Sequence, residues 1–292
     1  MELQNAKQRF EERGLKLAAI SYDSRAILKD FAARQNIDFP LLADPDSKII
    51  RSFGVLNAEA KGMTKGMAHP GFFYIDENGV IREKYFEAKY ADRFTPNNVI
   101  GKLFPEFIKE VSENVEAPHL RLILGQSDHV VAAGNRVTLI AEIELPPDVH
   151  VYSPGVKGYK PIQFTLHPVT GIELSPAVYP TSQTLYLGAI QEHVPIFEGK
   201  FRITQDVTVT PSNTRDVVRS LLAADKRISI TGDLKYQACD KTICYPPTAV
   251  AVKWELQVRP LDLKRSPTAI QHKQPSDSEN EINSPKLGRR NP

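Results

Sequence analysis

Val137-Thr-Leu-Ile-Ala-Glu-Ile-Glu-Leu145 places Val137, Leu139, Ala141, Ile143 and Leu145 at every second position. That period of two belongs to a strand with one face toward a core, and it decides the reading of the second half of the chain. Moving outward, Gln163–His167, Lys200–Thr204, Asp206–Thr210, Arg227–Thr231 and Ala249–Leu256 alternate in the same way. Pro, Gly, Asn and Asp separate them, as turns require. From Leu120 to Pro260 the pattern predicts an antiparallel sandwich, interrupted by a short helix at Thr214–Ala224.

Before Ser112–Pro118 the texture differs, because helix and strand signals alternate. Leu3 to Arg13 carries Leu3, Ala6 and Phe10 on one helical stripe, with Gly14 placed as a C-cap. Leu15–Ser21 reads as a short buried strand, and Asp23-Ser24 as the cap of a helix through Ile27, Leu28 and Phe31. Phe39–Ala43 is extended, and Asp46-Ser47 opens a helix through Ile49, Ile50 and Phe53. Gly71–Asp76, the turn Glu77-Asn78-Gly79 and Val80–Phe86 make a hairpin. Val99, Leu103, Phe107 and Val111 predict a closing helix over Asn97–Val111. This part is α/β.

The 292 residues suffice for two domains, each with its own core. With 41% hydrophobic and 25% charged residues, the composition is that of a globular protein, and no apolar run approaches a bilayer span. A net charge of +2, with no basic stripe interleaved with aromatics, argues against nucleic acid as a partner. Lys264 to Pro292 is rich in Ser, Pro, Asn, Gln and Lys, so residues 261–292 are expected to be a disordered tail. The expected domains are residues 1–113 and 118–260. Met1-Glu-Leu-Gln-Asn-Ala-Lys7 has neither a basic n-region nor an apolar h-region, so the chain as written carries no secretory signal. A cytoplasmic protein and a fragment are the two expectations.

The chain has two cysteines, in Leu234-Lys-Tyr-Gln-Ala-Cys239-Asp-Lys-Thr-Ile-Cys244-Tyr-Pro-Pro247. A strand entering and another leaving would bring the two sulfurs within disulfide reach at the base of a hairpin-like loop. Pro246 and Pro247 stiffen the exit. Such a pair is a redox couple, a structural staple or half of a zinc site. Redox work needs an attacking thiolate, a resolving thiol and access for a partner's sulfur. Lys241 favours a thiolate and Asp240 opposes it. Zinc lacks a second cysteine pair or a matching histidine spacing. His69, His119, His129, His150, His167, His193 and His272 share no ligand spacing and read as packing or surface residues. No cofactor or metal is expected, and no Gly-x-Ser-x-Gly, P-loop or dinucleotide fingerprint occurs.

Tyr236-Gln-x-Cys239, Cys244-Tyr-Pro-Pro247 and a following strand with Trp254 resemble the amino-terminal periplasmic domain of the transmembrane thiol:disulfide interchange protein family (DsbD). His150-Val-Tyr152 with its Pro/Gly-rich loop and Val194–Gly199 fit as well, giving coverage from Leu120 to Val258. The resemblance implies an immunoglobulin-like sandwich that relays electrons, with a thioredoxin-like redox protein or a membrane electron-relay domain as partner. It implies Cys244 as the attacking cysteine, Cys239 as its resolving partner, Tyr236, Tyr245 and Pro246 as site-shaping, and a cap loop at Tyr186–Gln191. It also implies a periplasmic or exported location for a chain whose N-terminus is truncated.

Gly14 to Ile81 resembles the peroxiredoxin-like alkyl hydroperoxide reductase/thiol-specific antioxidant family, of thioredoxin fold. The resemblance rests on Leu17–Asp23, Phe39–Asp46, Phe53-Gly-Val55 and His69-Pro-Gly-Phe-Phe-Tyr-Ile-Asp76-Glu-Asn-Gly79. It implies a thioredoxin-like domain incomplete at its N-terminus, with one sheet edge unpaired, and Pro70 as a site-shaping cis-proline. The family's catalytic cysteine precedes the helix that begins at Leu3. No cysteine occurs from Met1 to Ala238, so peroxidase activity is not expected of the chain as written. The leading reading is a thiol–disulfide oxidoreductase module exchanging electrons through Cys239 and Cys244. The alternative is a binding module that docks a thioredoxin-like partner and keeps a structural disulfide.

Overall fold

A computed structural model of the chain describes residues 2–87, 89, 91–105, 111–188, 191–210, 227–261 and 264–272, without the side chains of residues 111 and 112. The chain forms two compact units, Met1–His69 with Leu263–Pro292, and Pro70–Asp262.

In the first unit α1 (Glu2–Glu11) buries Ala6 and Phe10, two members of the expected stripe. Strand β1 (Ala19–Ser21) pairs in parallel with β2 (Leu41–Ala43), and α2 (Arg25–Gln35) connects them. The Ser24 hydroxyl caps α2 by accepting from the Ile27 amide at 3.4 Å, as expected. Helix α3 (Lys48–Ser52) starts differently. The Asp44 carboxylate accepts from the Lys48 and Ile50 amides at 3.0 and 2.9 Å. Ser47, the expected opener, instead donates its hydroxyl to the Gly66 carbonyl at 2.6 Å. Within the expected tail, Thr268–Ile270 forms a 3-10 turn. The His272 ring stacks on Tyr22 with centroids 4.7 Å apart, and its Nε2 lies 2.8 Å from Asp23 Oδ1.

The second unit opens on the hairpin of β3 (Gly71–Ile75) and β4 (Ile81–Phe86). Asp76 ties its turn by accepting from the Asn78 and Val80 amides, both at 2.9 Å. Gly79, at φ 78°, supplies the left-handed position. Next come β5 (Arg93–Phe94) and α4 (Pro96–Leu103). The closing helix expected to reach Val111 ends at Leu103. Phe104 precedes Pro105, which disfavours helical geometry there, and Pro105 has no amide to donate. Phe107 lies outside the described residues, and Val111 begins a strand, β6 (Val111–Ala117).

There follow β7 (Leu120–Gln126), β8 (Val130–Val131), β9 (Asn135–Glu144), β10 (His150–Tyr152), β11 (Gln163–Leu166) and β12 (Ile172–Val178). Then come β13 (Gln183–Leu187), β14 (Glu192–Glu198), β15 (Lys200–Val209), β16 (Arg227–Tyr236), β17 (Ala238–Cys239) and β18 (Thr248–Val258). The helix expected at Thr214–Ala224 lies outside the described residues. One sheet runs β12-β15-β9-β7-β6 with β5 beside β9, and a second runs β11-β16-β18-β8. Their inner faces share one core, with Leu122, Leu139, Ile143 and Ile203 from the first and Ile230, Leu234, Trp254 and Leu256 from the second. The Trp254 indole donates from the second sheet to the Gly125 carbonyl of the first at 2.8 Å. This is the two-sheet sandwich that the alternation predicts, and the described structure is mostly strand. A third sheet, β13-β14-β10-β17, carries Cys239. Among the described residues no helix is long and apolar enough to cross a membrane.

Candidate functional site

Alternation along two short strands builds the site. Val151 of β10 and Ala238 of β17 face each other and enter the main core. Their neighbours therefore project to the opposite face of the sheet, where His150 pairs with Cys239 and Tyr152 pairs with Ile196 of β14. On that face Tyr152, Val194, Ile196 and Cys239 form a second apolar cluster, with Val156, Tyr159, Leu185 and Leu187 packed against it.

Cys239 and Cys244 form a disulfide, with Cα atoms 4.0 Å apart. The expected proximity is thus present. The residues between them fold back as a tight loop whose ends are tied by Asp240 N–H donating to the Ile243 carbonyl and Tyr245 N–H to the Ala238 carbonyl, both at 2.9 Å. Asp240 organises the interior. Its Oδ1 accepts from the Thr242 amide and hydroxyl, each at 2.7 Å, and from the Ile243 amide at 2.9 Å. Its Oδ2 accepts from the Tyr245 hydroxyl at 2.8 Å. These bonds, the Thr242 hydroxyl foremost, hold the carboxyl far below the usual carboxylate range. The same bond to Asp240 raises the Tyr245 phenol. Lys241 leaves the loop to pair with Asp148 at 2.6 Å.

The two sulfur-bearing residues differ in access. Cys239 is 1% exposed, whereas Cys244 is exposed beside Ile243, an apolar side chain 55% exposed. Tyr236, Tyr245 and Pro246 take separate positions around them. Tyr236 belongs to the main core, donates its hydroxyl to the Pro118 carbonyl at 2.7 Å, and is pushed up to about 12 by burial. Tyr245 stacks on His119 with centroids 3.8 Å apart, and its carbonyl accepts from the Gln237 side chain at 2.9 Å. The Pro118-His119 turn thus fastens both the entry and the exit of the cysteine loop. Pro246 is exposed at that exit.

The expected cap loop, Tyr186–Gln191, is the tip of the β13–β14 hairpin, and residues 189 and 190 lie outside the described set. Tyr186 itself is 54% exposed, and the cover over Cys239 comes from the apolar cluster that includes Leu185 and Leu187. Tyr159 bridges this cover by donating its hydroxyl to Glu192 at 2.8 Å, a bond that pushes the phenol up to about 12.

Pro70 departs from expectation. No cis peptide occurs among the described residues, so Pro70 is trans. A cis X–Pro bond needs surroundings that lock it against a trans preference of about 0.5–1 kcal/mol. Here Pro70 leads into β3, whose hairpin forms its own two-stranded sheet, apart from the sheet of Cys239.

His150, which in sequence is one of seven histidines without ligand spacing and part of the His150-Val-Tyr152 strand pattern, lies opposite Cys239. It is 8% exposed, its Nε2 is buried without a hydrogen-bond partner, and its ring meets Tyr152 edge-on with centroids 5.4 Å apart. Burial lowers its imidazole, against the opposing pull of Glu198 and Asp240. The signal was the strand pattern His150-Val-Tyr152, but its pairing with Cys239 is non-local. Among the described residues no three His, Cys, Asp or Glu side chains converge as a metal site requires.

Two family models match separate parts of this sequence. The AhpC/TSA family model matches residues 1–84, and the model of the N-terminal part of thiol:disulfide interchange protein DsbD matches residues 122–255. The N-terminal part of the chain therefore resembles the first family, and the C-terminal part the second. Among individual proteins, bcp of Haemophilus influenzae, named as a peroxiredoxin, is 31% identical over 91 residues, which are 31% of this chain and 59% of that protein. Alkyl hydroperoxide reductase C of Staphylococcus haemolyticus is 31% identical over 85 residues, 28% of this chain and 42% of that protein. The chain thus spans about half the length of the curated relatives it matches. Among solved structures, the N-terminal periplasmic domain of ScsB from Proteus mirabilis aligns over 60% of this chain and 57% of its own, at 12% identity and a TM-score of 0.34.

Proposed function

We propose that this chain is a thiol–disulfide exchange module whose reactive bond is Cys239–Cys244. The observation that carries the reading is the asymmetry of that bond, with Cys244 exposed and Cys239 buried. An incoming sulfur can approach only the exposed member, so Cys244 attacks and Cys239 resolves. In the reducing direction the Cys244 thiolate attacks a partner's disulfide, and one partner sulfur leaves as thiolate. Cys239 then attacks Cys244 Sγ and releases the second partner sulfur. Two electrons pass to the partner, and the Cys239–Cys244 bond is restored.

The domain resemblances support an immunoglobulin-like sandwich of about 118–260 as the exchange domain, preceded over 1–113 by a thioredoxin-like domain that carries no cysteine. The partner is a thioredoxin-like protein or a membrane electron-relay domain, met outside the cytoplasm. Exposed Ile243 beside Cys244 offers that partner an apolar contact.

The test is a pair of serine substitutions. Cys239→Ser leaves Cys244 able to attack and traps a mixed disulfide on a non-reducing gel, whereas Cys244→Ser traps none. The redox equilibrium against glutathione falls between roughly −270 and −120 mV, the range of exchange proteins. A potential below about −300 mV with no adduct from Cys239→Ser would transfer the case to a binding module with a structural disulfide.

A further inference from the structure

The exchange reading leaves one chemical problem, which is how a buried thiol becomes a nucleophile. Cys239 is 1% exposed and sits in an apolar cluster. Burial of that kind disfavours the thiolate, yet resolution of the mixed disulfide requires it. A base must therefore lie within the same enclosure. The side chains and loop around Cys239 include two phenols, Tyr152 and Tyr159, the carboxylate of Asp240, and the imidazole of His150. Tyr159 is committed to Glu192, and Asp240 already accepts four hydrogen bonds within its own loop. The Tyr152 phenol, raised further by burial, is no base at neutral pH.

His150 remains, and three observations single it out. It occupies the β10 position directly opposite Cys239 on β17, on the face that holds the sulfur cluster. Paired positions of antiparallel strands bring side chains on one face to about 4.5–5.5 Å at Cβ. It is more than nine-tenths buried, and its Nε2 has no hydrogen-bond partner while the cysteines are joined. An orphaned buried ring nitrogen carries a desolvation penalty that needs a reason.

We infer that His150 is the proton acceptor for Cys239 in the resolving step. This inference rests on the exchange reading above. With its proton on Nδ1, the neutral imidazole presents the Nε2 lone pair to the Cys239 thiol. The proton passes from Sγ to Nε2, and the Cys239 thiolate attacks Cys244 Sγ. The bond between Cys244 and the partner's sulfur breaks, and that sulfur leaves as thiolate with the electron pair. The imidazolium then returns its proton to solvent or to the departing thiolate. Run in reverse, His150 protonates Cys239 as the internal disulfide opens. The charged neighbours frame this cycle. Glu198 on β14 pairs with His150 from its other side, and Asp240 lies in the cysteine loop. Both favour the imidazolium once it forms, whereas burial keeps the resting ring neutral. Lys241, the nearby cation of that loop, is tied to Asp148.

The test uses the full chain, reduced, mixed rapidly with the aromatic disulfide 5,5′-dithiobis(2-nitrobenzoate). Attack by Cys244 releases a first coloured thiolate, and resolution by Cys239 releases a second. In the unsubstituted protein the second phase is flat above an ionisation that lies below the ordinary imidazole value of about 6.5, and falls beneath it. In His150→Gln the second phase slows by about tenfold or more at neutral pH and climbs with pH into the thiol range, while the first phase keeps its rate. Near-ultraviolet circular dichroism reports whether the variant is folded, and the profile of the unsubstituted protein tests the inference without any variant. A second phase that already climbs through the thiol range in the unsubstituted protein overturns the inference, as does one unchanged in folded His150→Gln. In both cases exchange at Cys244 stands. Absence of the first phase overturns the exchange reading and this inference together.

Discussion

Cys239 and Cys244 share one bond and meet different surroundings: an apolar cluster covers Cys239 while Cys244 is exposed, and a few polar residues are enclosed beside that cluster. His150 is the clearest case, because its burial has a cost that acid exposes. Its folded imidazole is lowered from about 6.5, so as pH falls the unfolded chain takes the proton first. The stability contributed by the neutral ring is complete above about pH 6.5 and is lost as pH falls toward the folded value. We expect the urea midpoint of the oxidised protein to drop between about pH 7 and pH 5, and to drop less in His150→Gln. An equal drop in both would place the acid sensitivity elsewhere. Asp240 has the same sign, since its folded carboxyl is also depressed, and what it contributes is complete above the ordinary carboxylate value and is lost as pH falls from there toward the folded value. At this scale the sequence displayed the cysteines, their spacing and the stiff prolines that follow. It did not display His150 as a member of the site, because no local pattern says which strand lies beside β17.

At the scale of elements, alternation proved a sound guide and helical spacing a weaker one. The strands expected from Val137, Lys200, Arg227 and Ala249 all appear, because a buried face with period two leaves little freedom in register. The helix over Asn97–Val111 stops early because Val99, Leu103, Phe107 and Val111 satisfy its spacing while Pro105 forbids its backbone. What α4 does instead was hidden in its polar residues. The Thr95 hydroxyl donates to Asp128 at 2.5 Å, and the fully buried Asn98 side chain donates to the Thr138 hydroxyl at 2.7 Å. Thr138 in turn donates to Asp206 at 2.6 Å. These bonds fasten α4 to the sandwich ahead of the change in sequence texture at Ser112–Pro118. Asn98→Ala is expected to cost about 1–3 kcal/mol in chemical denaturation, because it strips a buried hydroxyl of its donor. A change below about 0.5 kcal/mol would show that water replaces the amide. A fragment beginning at residue 118 should melt below one beginning at residue 70, since it lacks α4, β5 and β6.

For the whole molecule, the absence of cysteine before position 239 matters more than the AhpC/TSA resemblance of residues 1–84. Fold similarity does not supply a nucleophile. We expect no hydroperoxide consumption beyond what the exposed Cys244 thiol and its buried partner Cys239 give, and none once Cys239 and Cys244 are both serine. Consumption that persists in the double variant would reveal a different nucleophile. The trans geometry of Pro70 and the independent β3–β4 sheet were likewise illegible in the sequence, since the resemblance supplied an arrangement that local residues alone did not enforce. The first compact unit holds both Met1–His69 and the segment from Leu263, with His272 laid on Tyr22. Synthesis proceeds from the N-terminus, so α1, β1, α2 and β2 leave the ribosome long before their last packing partner exists. The sandwich is made in between and has all its strands in hand first. The unit that begins the chain is therefore completed only after the sandwich, and during that interval the Tyr22 ring lacks the His272 stack.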